Sequence, residues 1–209
     1  MIRCAILGAS GHGKVIAEIA ELNGYSEISF FDDSWPNIVG VEHWEVVGST
    51  YDLLDDLNSF DSVFIAIGNN GIRLQKQELL FSKGAKFPVL IHPRATVSKY
   101  SQIGCGTVIM AGAVVNPFSK VGDSCIINTS ASIDHDCMLG DGVHISPGVN
   151  LAGGVQVGCK TWVGIGANVK QYINIGNNVT IGAGAAVIRD VLDEQVVIGV
   201  PALPLIYKD

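Results

Sequence analysis

The sequence predicts two domains of different class. A small α/β domain on a parallel sheet occupies residues 1–88, and an all-β solenoid of hexapeptide repeats occupies residues 89–209. Three observations predict them. Apolar runs alternate with helix-spaced stretches through the first part of the chain. From there on an aliphatic residue recurs at every sixth position. A glycine follows that aliphatic residue once in every eighteen.

In the first domain, residues 2–7 form an apolar run that reads as a buried strand. Val15, Ile16, Ile19 and Leu22 then follow at helical spacing. Residues 28–31 give a second strand ending at Asp32 and Asp33, and residues 51–57 a helix. Residues 63–67 give a third strand, followed by Gly68, Asn69 and Asn70. A helix over residues 72–82 closes at Gly84, and residues 89–91 are a last short strand. This alternation implies βαβ units and a parallel sheet.

The second domain rests on the repeat. Stepping by six from Ile91 to Val187, every position is Ile, Val or Leu. Four residues after each aliphatic, small or β-branched residues dominate, among them Thr107, Ala113, Ser119, Cys125, Ala131, Cys137 and Val143. A fixed short period of this kind is the signature of a β-helix. The pairs Ile103-Gly104, Val121-Gly122, Leu139-Gly140, Val157-Gly158 and Ile175-Gly176 recur every eighteen residues, so three hexads make one triangular coil. Residues eighteen apart then stack about 4.8 Å from each other. The repeat runs unbroken, so no long loop is expected to leave the coil.

Composition narrows the function classes. Hydrophobic residues make up 48% of the chain and charged residues 16%, enough for packed cores. The net charge of -7 argues against broad binding to nucleic acid or to an anionic membrane. Cys4, Cys105, Cys125, Cys137 and Cys159 contain no C-x-x-C pair and are odd in number, so they read as reduced thiols. The apolar start is too short for a signal peptide or a membrane span. A cytoplasmic protein is expected.

On the coil, two histidines break the bland pattern. His135 lies in Ile133-Asp134-His135-Asp136-Cys137, and His144 follows nine residues later, half a coil away. They are therefore not neighbours within one chain, but packing about a threefold axis lets His135 of one copy approach His144 of the next. Neutral histidine suits a general base, and a carboxylate on its other ring nitrogen fixes the tautomer. Either Asp134 or Asp136 is placed to supply it. Transfer of an acetyl group from a thioester to an amine needs such a base and donors for an oxyanion, with no covalent intermediate.

The hexads resemble the left-handed parallel β-helix acyltransferases. The segment from Asn128 to Cys137, followed by His144, is similar to the acetyltransferases of the bacillosamine pathway and their sialic acid O-acetyltransferase relatives. The resemblance implies acetyl-CoA as acetyl donor, no metal, and a homotrimer with its site between adjacent subunits. It implies His135 as the base, tuned by Asp136, with His144 at the acetyl end of the donor and Ile165 and Ala183 along its pantetheine arm. Many family members carry Glu at the position of Asp136; the shorter Asp is expected to hold the imidazole more loosely. The stretch Gly199-Val200-Pro201-Ala202 also resembles the family's C-terminal motif, but Leu203 stands where a basic residue is common. Lys170, Arg189 and Lys208 remain as candidates for the CoA phosphates.

In the first domain, Gly8-Ala9-Ser10-Gly11-His12-Gly13 links the first strand to a helix, as in Rossmann-like nucleotide sites. A helix N-terminus with close backbone approach favours a phosphate. An acidic residue after the second strand often binds a ribose hydroxyl. The glycine spacing departs from G-x-G-x-x-G, and the domain offers one mononucleotide half, which favours a nucleotide-sugar over NAD. The resemblance implies that Ser10, Gly11, His12, Asp32, Asp33 and Gly68 hold a UDP-amino-sugar. The expected activity is N-acetylation of the 4-amino group of a UDP-4-amino-4,6-dideoxy-N-acetyl sugar. Sugar O-acetylation shares this architecture, and a non-catalytic nucleotide-sugar-binding trimer is a further reading. A zinc enzyme of the γ-carbonic anhydrase type needs three converging imidazoles, and the coil proper offers two.

Overall fold

The structure is a computed structural model describing residues 1–205, and the chain divides into two compact units, residues 1–93 and residue 94 onward.

Unit one contains β1 (Arg3–Leu7), α1 (Gly11–Leu22), β2 (Glu27–Phe31), β3 (Gly40–Val41), β4 (Trp44–Gly48), α2 (Thr50–Asp55), β5 (Ser62–Ile65), α3 (Asn70–Ser82) and β6 (Leu90–Ile91). The main sheet has the order β3-β4-β2-β1-β5. The strands β4, β2, β1 and β5 run parallel, and β3 pairs antiparallel with β4. Ala5, Leu7, Phe31, Leu53, Val63, Ile65, Leu80 and Phe87 pack together as the core. Sequence periodicity missed β3 and β4. The burial of β4 does alternate, but Val47 is exposed and Gly48 is buried, so the apolar pattern does not follow the pleat. Gly8 is required where β1 meets α1: its φ is +117°, and a Cβ there would lie 2.8 Å from the Ala66 carbonyl oxygen.

Unit two is a three-sided parallel β-helix of two-residue strands, with one of three residues at Val196–Ile198. Its first face stacks strands from Thr96–Val97 to Ala186–Val187, and its second face those from Gln102–Ile103 to Asn174–Ile175. Its third face includes Val108–Ile109, Ile126–Ile127, His144–Ile145, Trp162–Val163, Thr180–Ile181 and Val196–Ile198. Strand partners sit eighteen residues apart, as in Ser132 with Asn150 and Ile126 with His144, until the last coil, where Thr180 pairs with Val196 sixteen residues on. From Ile109 on, every aliphatic of the six-residue series is buried. The residue four later points inward as well, so each hexad sends two side chains to the core.

Two local rules turn the corners. The residue three after each inward aliphatic has a left-handed φ at every hexad from Gly106 to Gly184, including Phe118, Asp136 and Tyr172. The glycine of each eighteen-residue pair makes room for the next coil, against a side chain at Gly104, Gly122, Gly140 and Gly176 and against backbone at Gly158. Asp123 reaches back past Gly104 to accept the Cys105 N–H at 2.7 Å, and Asp141 does the same for the Asp123 N–H at 2.8 Å. Asn177 and Asp193 continue the line at 2.8 Å each.

Buried hydroxyls brace the interior. Thr107 donates to the Gly122 carbonyl at 2.8 Å and Thr161 to the Gly176 carbonyl at 2.7 Å. Each also accepts a backbone N–H from the next coil.

Candidate active site

His135 sits at the corner between the first and second faces, directly after the strand Ser132–Ile133. Its turn is fixed from both sides. Ser119, fully buried in the preceding coil, donates to the Asp134 carbonyl at 2.6 Å and accepts the Cys137 N–H at 3.3 Å. Asp136 adopts a φ of 60°, a conformation that a short polar side chain tolerates. Its carboxylate Oδ2 lies 2.7 Å from His135 Nδ1. The contact is close, contrary to the looser fit expected of Asp in place of Glu, because the left-handed turn swings the short carboxylate onto the ring. Asp134 instead accepts the His135 backbone N–H at 2.8 Å and the Asn116 side-chain amide at 3.0 Å. The two acids thus divide the work: Asp136 addresses the ring and Asp134 the backbone.

The hydrogen bond to Asp136, with the charge of Asp134 second, raises the His135 pKa above the ordinary histidine value. The bond to His135 N–H holds the Asp134 carboxyl below the usual carboxylate range. With the Nδ1 proton committed to Asp136, the neutral ring leaves its Nε2 lone pair free, on a side chain that is 53% exposed.

His144 lies on the third face, opposite that corner. Its Nε2 is 3.2 Å from the Asn128 side-chain amide, and its ring stacks on Trp162 with centroids 6.2 Å apart. Trp162 is anchored in turn by donating to Ser146 Oγ at 2.7 Å. Ile165 and Ala183 are exposed on the corner between the third and first faces, one coil apart. One chain therefore does not bring His135 together with His144, Ile165 and Ala183. Asn128 and Trp162, which orient His144, escaped notice as individual residues because their partners lie sixteen and eighteen residues along the chain. Leu203 is 55% exposed. Lys170 and Arg189 are exposed beside the His135 corner rather than that of Ile165, and Lys208 lies outside the described residues.

In unit one, Ser10 is the N-cap residue of α1, and Gly11 and His12 form its first turn. Asp32 accepts the Ala9 N–H at 2.8 Å and the Ser34 N–H at 2.9 Å, stitching the glycine loop to the end of β2. Burial opposes ionisation of Asp32, but these N–H bonds outweigh it and hold its carboxyl below the usual range. Asp33 accepts the Thr50 N–H at 2.9 Å and pairs with Lys76 at 2.8 Å, and Lys76 also reaches Thr50 Oγ1 at 2.9 Å. Burial opposes ionisation there too, but the bonds from Lys76 and Thr50 bring its pKa down to about 2.

His12 Nε2 is enclosed without a hydrogen-bond partner. Burial, and then the Arg73 charge, lower its pKa to about 4. Arg73 is itself 2% exposed and donates to the Ile67 and Gly68 carbonyls at 2.9 and 3.2 Å and to Asn70 Oδ1 at 2.9 Å. Arg73 and Lys76 thus tie down the Gly68 loop and Asp33; neither was singled out in the sequence. Among the described residues no three His, Cys, Asp or Glu side chains converge as a metal site, and no helix is long and apolar enough to cross a membrane.

Comparison with known proteins decides the family. Residues 3–80 match the PglD N-terminal domain. The acetyltransferase domain of PglB from Neisseria gonorrhoeae FA1090, solved with acetyl coenzyme A, is 45% identical over 97% of this chain and 98% of that one, with a TM-score of 0.93. The chain belongs to the left-handed β-helix sugar N-acetyltransferases. PerB from Caulobacter crescentus, solved with CoA and GDP-perosamine, is another structure of this kind, 36% identical over 97% of this chain and 96% of that one, with a TM-score of 0.92. The UDP-N-acetylbacillosamine N-acetyltransferase of Bacillus subtilis (strain 168) is 40% identical over 117 residues, 53% of this chain. That match spans 52% of the Bacillus subtilis enzyme, about half its length.

Proposed function

We propose that this protein transfers the acetyl group of acetyl-CoA to the 4-amino group of a UDP-linked 4-amino-4,6-dideoxy-N-acetyl sugar. The observation that carries the reading is the imidazole of His135, bound through Nδ1 to Asp136 at 2.7 Å with Nε2 free at an exposed corner. The sugar amine attacks the thioester carbonyl carbon, and the C–N bond forms as the carbonyl becomes an oxyanion. His135 Nε2 takes the proton that nitrogen must lose. Asp136 stabilises the imidazolium so formed. The oxyanion collapses, the C–S bond breaks, and the imidazolium returns the proton to the CoA sulfur. Products are the acetamido sugar and CoA.

His144, held by Asn128 and Trp162, contacts the acetyl end of the donor in this reading, and Ile165 and Ala183 line the pantetheine arm. Their separation from His135 within one chain supports a site shared by two copies of a homotrimer. In unit one, Ser10, Gly11, His12 and Gly68 receive the nucleotide diphosphate and sugar at the N-terminus of α1. Asp32 and Asp33 act there partly by shaping the glycine loop and the start of α2, since their oxygens already hold Ala9, Ser34, Thr50 and Lys76.

The test is incubation with acetyl-CoA and the UDP-amino-sugar, following CoA release, with mass spectrometry of a panel of amine and hydroxyl acceptors. His135→Ala is expected to lose about 100- to 10,000-fold in kcat. A mutant rate equal to that of the native protein removes His135 from the base role. A panel in which only hydroxyl acceptors react replaces N- with O-acetylation. Light scattering that finds a monomer refutes the shared site.

A further inference from the structure

The coil that follows His135 carries two glycines, Gly153 and Gly154, at the corner where the coils on either side carry His135-Asp136 and Gln171-Tyr172. They are not equivalent. Gly154 has a φ of +70°, and a Cβ there would lie 2.6 Å from Tyr172 Cδ1. Gly153 has no left-handed φ, so its backbone accepts any residue. What a Cβ at Gly153 would meet is the imidazole: His135 Cε1 at 2.6 Å, Nε2 at 2.7 Å and Nδ1 at 3.3 Å. No other atom is among its three nearest neighbours. The ring therefore lies flat across the bare Cα of the next coil. That seat aligns Nδ1 with the Asp136 carboxylate and leaves Nε2 at the corner.

Nothing else in the fold demands glycine here. The Gly153 carbonyl accepts the Tyr172 N–H at 3.0 Å, and Gly154 N–H donates to the His135 carbonyl at 2.9 Å. Both are ordinary coil-to-coil bonds that an alanine would keep. The equivalent position is Pro117 two coils earlier, His135 one coil earlier and Gln171 one coil later, so a side chain is compatible with the turn.

We propose that Gly153 is a positioning residue for the acetyl transfer: its missing side chain is the seat that holds the His135 imidazole in line with Asp136. This rests on the reading of His135 as the base. An alanine there pushes the ring off its seat, because the neighbour that must give way is a side chain free to rotate rather than backbone. The charged groups on the imidazole's own turn are Asp134 and Asp136; the coil before presents Pro117 and Phe118, and the coil after Gly153 and Gly154. Displacement from Asp136 removes the bond that favours the protonated ring, so the acid limb of the rate profile moves to lower pH.

The test is Gly153→Ala beside Gly154→Ala and His135→Ala. For Gly153→Ala, kcat is expected to fall about ten- to a hundredfold, as for a reacting group misplaced by about 1 Å. Its acid limb shifts to lower pH while KM for acetyl-CoA stays within about twofold. Gly154→Ala, which strains the backbone and crowds Tyr172, is expected to lower stability and leave the pH profile in place. Gly153→Ala with native kcat and a native profile overturns the proposal even if His135→Ala is inactive. If His135→Ala keeps its rate, the base assignment falls and this inference falls with it.

Unfolding measurements give a test independent of activity. Gly153→Ala is expected to destabilise the native protein but not the His135→Ala background, where the space is empty. An equal loss of stability in both backgrounds also overturns the proposal.

Discussion

Removing the Ser119 hydroxyl by Ser119→Ala tests how the turn that carries His135 is held. The hydroxyl is fully buried, donates to the Asp134 carbonyl at 2.6 Å and accepts the Cys137 N–H at 3.3 Å. Each backbone group left without a partner in a dry core costs about 1–3 kcal/mol. The longer bond is the weaker, and the turn has one way to compensate. Where the preceding coil carries Ala113 in place of such a serine, the next turn closes on itself, Ala131 N–H to Asn128 O at 3.1 Å. A similar closure, Cys137 N–H to the Asp134 carbonyl, would replace two bonds with one, which brings the expected loss to about 1–3 kcal/mol. It would also tighten the turn that carries His135, so kcat falls together with stability. Ser119→Cys is expected to restore most of both, because Cys125 and Cys137 occupy equivalent positions and direct their thiols to the Gly140 and Ala152 carbonyls at 3.2 and 3.3 Å. Urea unfolding followed through Trp162, with Trp35 and Trp44 replaced by Phe, reads the coil alone. A Ser119→Ala protein with native midpoint and native kcat would refute the reasoning.

Three further outcomes are expected. As the proposed base His135 must be neutral, so kcat is expected to fall as pH drops through its raised pKa; Asp136→Asn, which tolerates the left-handed turn, moves that fall to lower pH, read from a kcat–pH profile. His12 is neutral in the folded protein down to about pH 4, whereas a free histidine protonates near 6.5. The unfolded chain thus binds more protons in that window, and unit one loses about 3 kcal/mol as pH falls from 6.5 to 4; acid titration of His12→Gln should lack this slope. Gly122→Ala places a Cβ against Asp141 Oδ1 and 2.8 Å from Gly140 backbone, and is expected to destabilise the coil by about 2–3 kcal/mol in thermal melts.

The coil was legible in the sequence because its geometry repeats: one aliphatic per side and one glycine per turn leave a mark at fixed spacing. The reason for the glycine was not legible, since the Asp123 and Asp141 side chains that need the room belong to the next coil. In the site, Asp134 and Asp136 look alike in sequence. Only the left-handed φ of Asp136 decides which one meets the ring. Gly153 lay hidden for the same reason as Asn128: its partner is a whole coil away. Unit one was read from its apolar runs, but β4 escaped because the strand buries a glycine and exposes a valine. Arg73 escaped because no local pattern marks a buried guanidinium that serves loop carbonyls.

The eighteen-residue register also governs how such a chain can change length. Each lap is braced by the laps above and below, through the Asx line beside the glycines and the buried hydroxyls. Inserting one complete lap leaves every later side chain on its own edge and lengthens the prism by one strand spacing, about 4.8 Å. Inserting a single hexad rotates everything beyond it by one side of the triangle, carrying His135 to a different edge and setting each glycine against the wrong neighbour. Growth and shrinkage of this architecture are therefore quantised in whole laps.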